Sequence, residues 1–195
     1  MLFPGFIVNW LTFPGVIIHE FAHKKMCDWR GILVSDVQYF SLSGSGYVDH
    51  ARPYAFGDAW AISGAPFFVN TLLAVALYAI AGVVYLSARQ NPDATWVSEI
   101  GSPLLFIIVG LGWLGFSIGV HAIPSYADVG NIWRAVKVRW NESVLAFLSI
   151  PLAALLFLMS WLKFFWFDFI YSAILAVLSY IVIAVLLAPE SLMAA

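Results

Sequence analysis

Ile17-Ile18-His19-Glu20-Phe21-Ala22-His23 closes the first apolar run of the chain, Leu2–Ile18, and decides how the rest is read. His-Glu-x-x-His on a helix stacks two imidazoles one turn apart, because residues i and i+4 share a face. Two neutral imidazoles at that spacing can grip one zinc ion. Glu20, next to the first of them, points about 100° round the helix toward an open coordination position. This is the arrangement of a metal hydrolase, set at the end of an apolar segment.

The surrounding composition is that of a membrane protein. Apolar residues make up 63% of the chain and charged residues 10%, with a mean hydropathy of +0.91. Soluble domains carry roughly 25% charge. The expected fold is an all-α polytopic membrane protein, one domain over residues 1–195. The net charge is −2, and with no basic tract to bind it no nucleic-acid partner is expected. The single cysteine, Cys27, excludes an intrachain disulfide. Residues 1–18 lack a basic leader region and a small-x-small cleavage site, so they are expected to be a retained span.

Five apolar stretches predict about five transmembrane helices: Leu2–Ile18, Ala59–Ser87, Ile100–Val120, Val144–Leu162 and Phe169–Ala188. The last two, over residues 144–188, are additional spans after the first three. Leu2–Ile18 is 17 residues long, so it crosses only if the histidine motif lies at the membrane edge. Pro14-Gly15, one turn before His19, is expected to bend it. Lys24, Lys25, Arg30, Arg52, Arg134, Lys137 and Arg139 fall after spans one and three, and only Arg89 and Lys163 on the opposite side. By the positive-inside rule this puts the motif at the cytoplasmic face, the N-terminus outside and the C-terminus in the cytoplasm.

Two non-spanning segments carry their own signals. In Gly31–His50, the β-prone residues Ile32, Val34, Val37 and Tyr39 precede a Ser41–Gly46 turn and then Tyr47-Val48, which predicts a small β-hairpin beside the motif. In Asn131–Trp140, Ile132, Val136 and Trp140 recur at i+4 among basic residues, which predicts an amphipathic helix on the membrane surface.

A catalytic zinc site takes three protein ligands and leaves a fourth position open. Asp93 and Glu99 lie across the membrane from the motif. Cys27 is eight residues from His19, roughly 12 Å along the helix, too far to share one ion with both histidines. Asp28, Asp36, Asp49, His50, Asp58 and Glu142 read better as solvated loop groups. Asp128 follows span three in Ser125-x-x-Asp128, a capping-box pattern, and a helix N-terminus keeps a carboxylate ionised as a ligand must be. It is the leading third ligand. His121 is its rival, as a ligand, a supporting or substrate-contacting group, or a plain interfacial histidine. Asn70, alone in an apolar run, is either a helix–helix hydrogen bond or a donor to a substrate backbone or developing oxyanion.

Three features in this order, His19-Glu20-x-x-His23, Gly64-x-Pro66-x-x-x-Asn70 and Pro124…Asp128, resemble the site-2 protease family of intramembrane zinc metalloproteases. The resemblance covers roughly residues 5–135. It implies zinc held by His19, His23 and Asp128, with Glu20 as general base. The family's usual Asn-x-x-Pro…Asp-Gly stands here as His121-x-x-Pro124…Asp128-Val129, and no PDZ insert is present, as in a minimal or divergent branch.

The expected function is zinc-dependent hydrolysis of peptide bonds in membrane-embedded or membrane-adjacent polypeptides near the cytoplasmic face. The partners implied are that peptide substrate and the lipid bilayer. Two alternatives stay open: a hydrolase of a non-peptide substrate, and a scaffold or regulator whose zinc is closed by a fourth protein ligand such as His121. A zincin with a glutamate as third ligand would have to use Glu142.

Overall fold

The computed structural model describes residues 5–53 and 55–187, and the chain is mostly helical. Leu2–Pro4 and Ala188, at the ends of two expected spans, lie outside the described residues. The first apolar run is not one straight helix. Helix α1 (Gly5–Leu11) meets helix α2 (Phe13–Arg30) at 90°. The break falls at Thr12, whose hydroxyl donates to Val8 O at 2.7 Å and closes the last turn of α1. Pro14 sits in the first turn of α2, where its missing N–H costs no helical bond. The bend expected at Pro14-Gly15 therefore occurs just before it, and the proline starts a helix instead of kinking one.

Among the described residues, three single helices are long and apolar enough to cross a membrane: α3 (Phe56–Gln90), α5 (Pro103–Val120) and α9 (Phe167–Leu187). Between α3 and α5 lies short α4 (Thr95–Ile100). Helix α2 runs antiparallel to α3, with an Arg30–Asp58 ion pair at 3.3 Å at one end and Asn70 bonded to Gly15 O toward the other. Helix α9 follows α3 in the same direction. Its Ser172 donates to Phe116 O near the motif end of α5, and its Tyr180 ring lies 6.4 Å from Tyr85 toward the other end.

The fourth expected span is corrected. The run 144–162 splits at Ser149 into α7 (Val144–Leu148) and α8 (Ile150–Leu162). Ser143 caps the first and Pro151 opens the second. At 13 residues, α8 is about 20 Å long, short of a hydrocarbon core of about 30 Å. It also turns back, because Lys163 Nζ donates to Ile123 O at 3.2 Å. Lys163 therefore stands at the motif end of the molecule, not the opposite one. Helix α9 leads away from that end as far as Leu187, and the C-terminus, expected on the motif side, lies outside the described residues.

Helix α6 (Tyr126–Arg139) packs between α3 and α8. Its Ile132 and Val136 are buried with Ala153 and Leu156, against Phe56 and Trp60. The apolar stripe expected to lie on a membrane surface is thus turned into the protein, and only Trp140 of that stripe is exposed. The hairpin is present as expected. Strands β1 (Val34–Gln38) and β2 (Tyr47–His50) pair antiparallel, with Val37 opposite Val48 and a bulge between Val34 and Asp36. Its turn is tied to α1 by Trp10 Nε1–H donating to Leu42 O at 3.0 Å and by Trp10–Phe40 ring contact.

Gly15 lets α2 and α5 touch. A Cβ there would run into the Ser117 carbonyl and lie 2.7 Å from the His121 ring. Gly15 N–H donates to Ser117 Oγ at 3.0 Å, a bond that needs this approach. Gly15→Ala is expected to destabilise the fold by about 1–3 kcal/mol, the cost of overpacking against backbone that cannot yield. A melting temperature in detergent equal to wild type would contradict this.

Candidate metal centre

Helix α2 presents His19 and His23 one turn apart, as the i, i+4 spacing dictates, with side chains 12% and 10% exposed. Each ring is oriented by its other nitrogen. His19 Nδ1–H donates to His121 O at 2.7 Å, and His23 Nδ1–H donates to Ile62 O at 2.9 Å. Both bonds fix the tautomer, so each Nε2 carries a lone pair. These two lone pairs face each other at 3.2 Å.

The carbonyl that holds His23 is free for a reason written in the sequence. In an α-helix Ile62 O would accept from residue 66, but Pro66 has no N–H to give. His23 takes the vacated acceptor. Pro66→Ala is expected to weaken zinc affinity about 10–100-fold, the usual cost of losing an outer partner. Proline in a helix interior is unfavourable by about 3 kcal/mol relative to alanine, so the variant should melt no lower than wild type. Zinc competition against a chelating dye, read beside the melt, checks both, and an unchanged zinc affinity would remove this role from Pro66.

Asp128 completes the group from the first turn of α6. Its Oδ2 accepts from Ser125 N–H at 2.9 Å and from Ser125 Oγ–H at 2.6 Å, while Asp128 N–H donates to Ser125 Oγ at 3.1 Å. This is the capping box expected from Ser125-x-x-Asp128. Two donors from Ser125, its N–H and its hydroxyl, point at this carboxylate and favour its charged form. It is an anion at any physiological pH.

Asp128 Oδ1 lies 3.2 Å from His23 Nε2, and Oδ2 lies 3.7 Å from His19 Nε2. Three acceptor atoms thus converge within 4.8 Å of one another. They repel unless a cation sits between them. A tetrahedral zinc with bonds of roughly 2.0–2.1 Å has ligand–ligand edges of about 3.3–3.4 Å. His23 Nε2 lies 3.2 Å from both His19 Nε2 and Asp128 Oδ1, close to such edges, and one ligand atom from each of the three residues lies within 4.8 Å of the others. Two imidazoles and a carboxylate are also the donor types zinc takes. Among the described residues this is the one such group, and it has three ligands, not four.

The other expected site residues divide. Glu20 is next to the group, within electrostatic reach of His19, His23 and Asp128. The hairpin lies against it: a Cβ on Gly46 would come 2.5 Å from Glu20 Cγ. His121 is not a ligand. Its Nε2 is 2.8 Å from Thr12 Oγ1, and the Thr12 hydroxyl already donates to Val8 O, so the imidazole is the donor in that bond. Burial, with Lys163 and His19 nearby, pushes the His121 pKa down to about 3, so the ring is neutral. Its contribution is the backbone carbonyl that orients His19.

Of its two expected readings, Asn70 takes the helix–helix hydrogen bond and not the substrate donor. It is fully buried, and its amide donates to Gly15 O at 3.3 Å and Ile118 O at 3.2 Å. Both hydrogens are used to clamp α2 to α5, so neither is offered to a substrate carbonyl or oxyanion. Cys27 is buried on α2 and Glu142 follows α6, both outside the group.

Two contributors were not anticipated: the Ile62 carbonyl and Lys163. The first was legible as a proline four residues after an acceptor. The second depends on the return of α8 and had no local signal. Lys163 lies near enough for its charge to be felt by His121 and by Asp128. Compared with known protein families, curated proteins and solved structures, the chain matches none, so the site rests on its own geometry.

Proposed function

We propose that this protein is an integral-membrane zinc metallopeptidase of the kind the site-2 proteases exemplify, cutting peptide bonds of membrane or membrane-adjacent polypeptides. The observation that carries the proposal is the convergence of His19 Nε2, His23 Nε2 and an Asp128 carboxylate oxygen, with Glu20 beside them and no fourth protein ligand among the described residues. Bound there, zinc supplies Lewis acidity, lowering the pKa of a coordinated water toward about 7 and polarising a carbonyl.

The chain's own residues do the rest. Glu20 accepts a proton from the attacking water and returns it to the leaving amine. Ser125 holds Asp128 in place, while the carbonyls of His121 and Ile62 hold the two rings. The hairpin is two-stranded, so each strand has one edge without a partner strand among the described residues. A substrate added to the edge of β2 is held extended, with its peptide bonds free of helical hydrogen bonds. Gly46 precedes β2 and touches Glu20, so such a strand runs past the general base.

The membrane reading draws on α3, α5 and α9. With Lys163 moved to the motif end, eight of the nine basic residues gather there and Arg89 alone lies at the other. The positive-inside rule then assigns the metal centre to the cytoplasmic side, and the C-terminal end of α9 to the opposite face.

The test is hydrolysis of an unstructured peptide by purified protein in detergent. Activity is expected to disappear when o-phenanthroline strips the metal and to return with one equivalent of zinc. Peptide cleavage insensitive to metal removal would defeat the proposal.

A further inference from the structure

A groove of about 520 Å³ opens on the flank of the metal centre. One wall includes Ile62, whose carbonyl orients His23, and Asn131, one turn along α6 from Asp128. Another is β2 from Val48 to His50, the strand that leaves Gly46 at Glu20. The groove thus shares Ile62 with the support of His23, and shares β2 with the strand that begins one residue after Gly46.

Its charge is unlike that of the whole chain. The protein carries a net charge of −2. The groove is lined by Arg52, Arg134 and Arg139, with Asp49 the one carboxylate among its lining residues. The three arginines come from two different elements, the segment after β2 and the last turns of α6, and all three are exposed. Arginine matches a carboxylate in two-point geometry better than lysine does. A low-dielectric wall beside such charges focuses the field on whatever enters.

We propose that this groove receives the part of the polypeptide substrate flanking the scissile bond and selects acidic side chains there. The proposal rests on the peptidase reading above. The strand β2 favours a peptide over an anionic lipid headgroup. A headgroup needs only the arginines, whereas an extended chain uses the strand edge and the arginines together.

The test measures binding, so it does not depend on turnover. Zinc-loaded Glu20→Gln protein in uncharged detergent is titrated into fluorescein-labelled decapeptides of equal apolar content, one bearing three glutamates and the other three lysines. The acidic peptide should bind about tenfold more tightly, with an advantage that shrinks as salt rises. Arg52→Glu with Arg134→Glu should reverse the preference, and Arg134→Gln alone should reduce it. Both residues are exposed, so folding is not at stake.

Equal affinity for the two peptides, or a preference that survives the charge reversal, would overturn the proposal. So would displacement of the acidic peptide by phosphatidylglycerol nanodiscs but not by phosphatidylcholine nanodiscs, which would make the groove a headgroup site. A protein that prefers the acidic peptide but whose wild type cleaves nothing would keep the groove as an acidic-peptide site and sink the peptidase reading instead.

Discussion

Glu20→Gln is expected to retain zinc and to lose peptide hydrolysis by about 10²–10⁴-fold, the usual contribution of a positioned general base. The substitution keeps the shape that packs against Gly46 of the hairpin, so the turn beside it should not move. It leaves His19, His23 and Asp128 untouched, so the ligand set is intact. What it removes is a carboxylate beside the group that is not one of the three candidate ligands. Zinc content and turnover must therefore separate. Inductively coupled plasma analysis gives the first and a fluorogenic peptide the second. Loss of both together would mean that Glu20 is a structural member of the site, and wild-type turnover would mean that it is not the base.

Asp128→Ala is expected to lose zinc by well over the 10–100-fold that follows removal of an outer partner, because a direct ligand goes. The residue has a second job, however. It caps α6 through Ser125, and loss of a cap costs about 1 kcal/mol. Asp128→Asn separates the two roles. Its amide oxygen still accepts from Ser125, but it offers no anion to the ion. The Asn variant should therefore melt near wild type and bind zinc almost as poorly as the Ala variant. The histidines are expected to shift in either variant once metal-free, since nothing then holds two lone pairs at 3.2 Å. If Asp128→Asn binds zinc as wild type does, Asp128 is a cap and no more.

The site was legible because its signals are local. His19 and His23 share a helix face at any i, i+4 spacing, and Ser125-x-x-Asp128 folds as a capping box within four residues. The hairpin was legible for the same reason, as two β-prone runs around a Ser/Gly turn. What failed was long-range. A count of apolar residues cannot tell a span from two short helices, so the break at Ser149 and the return of Lys163 to Ile123 were hidden. That reading put Lys163 at the end of the molecule away from the motif, whereas it bonds to Ile123 beside it. Asn70 was recognised as unusual, but whether its amide meets a substrate or Gly15 and Ile118 depends on how three helices pack. Pro66 lay between these cases. Its missing N–H was plain from the residue type, while the partner that uses the freed Ile62 carbonyl came from a different helix.

Zinc K-edge X-ray absorption on the purified protein addresses the central claim most directly. The account predicts one zinc per chain, with two imidazole scatterers at about 2.0–2.1 Å, light oxygen scatterers from Asp128 and an open position, and no sulfur. Absence of bound zinc after loading, a sulfur scatterer at about 2.3 Å, or a third imidazole closing the shell would contradict it.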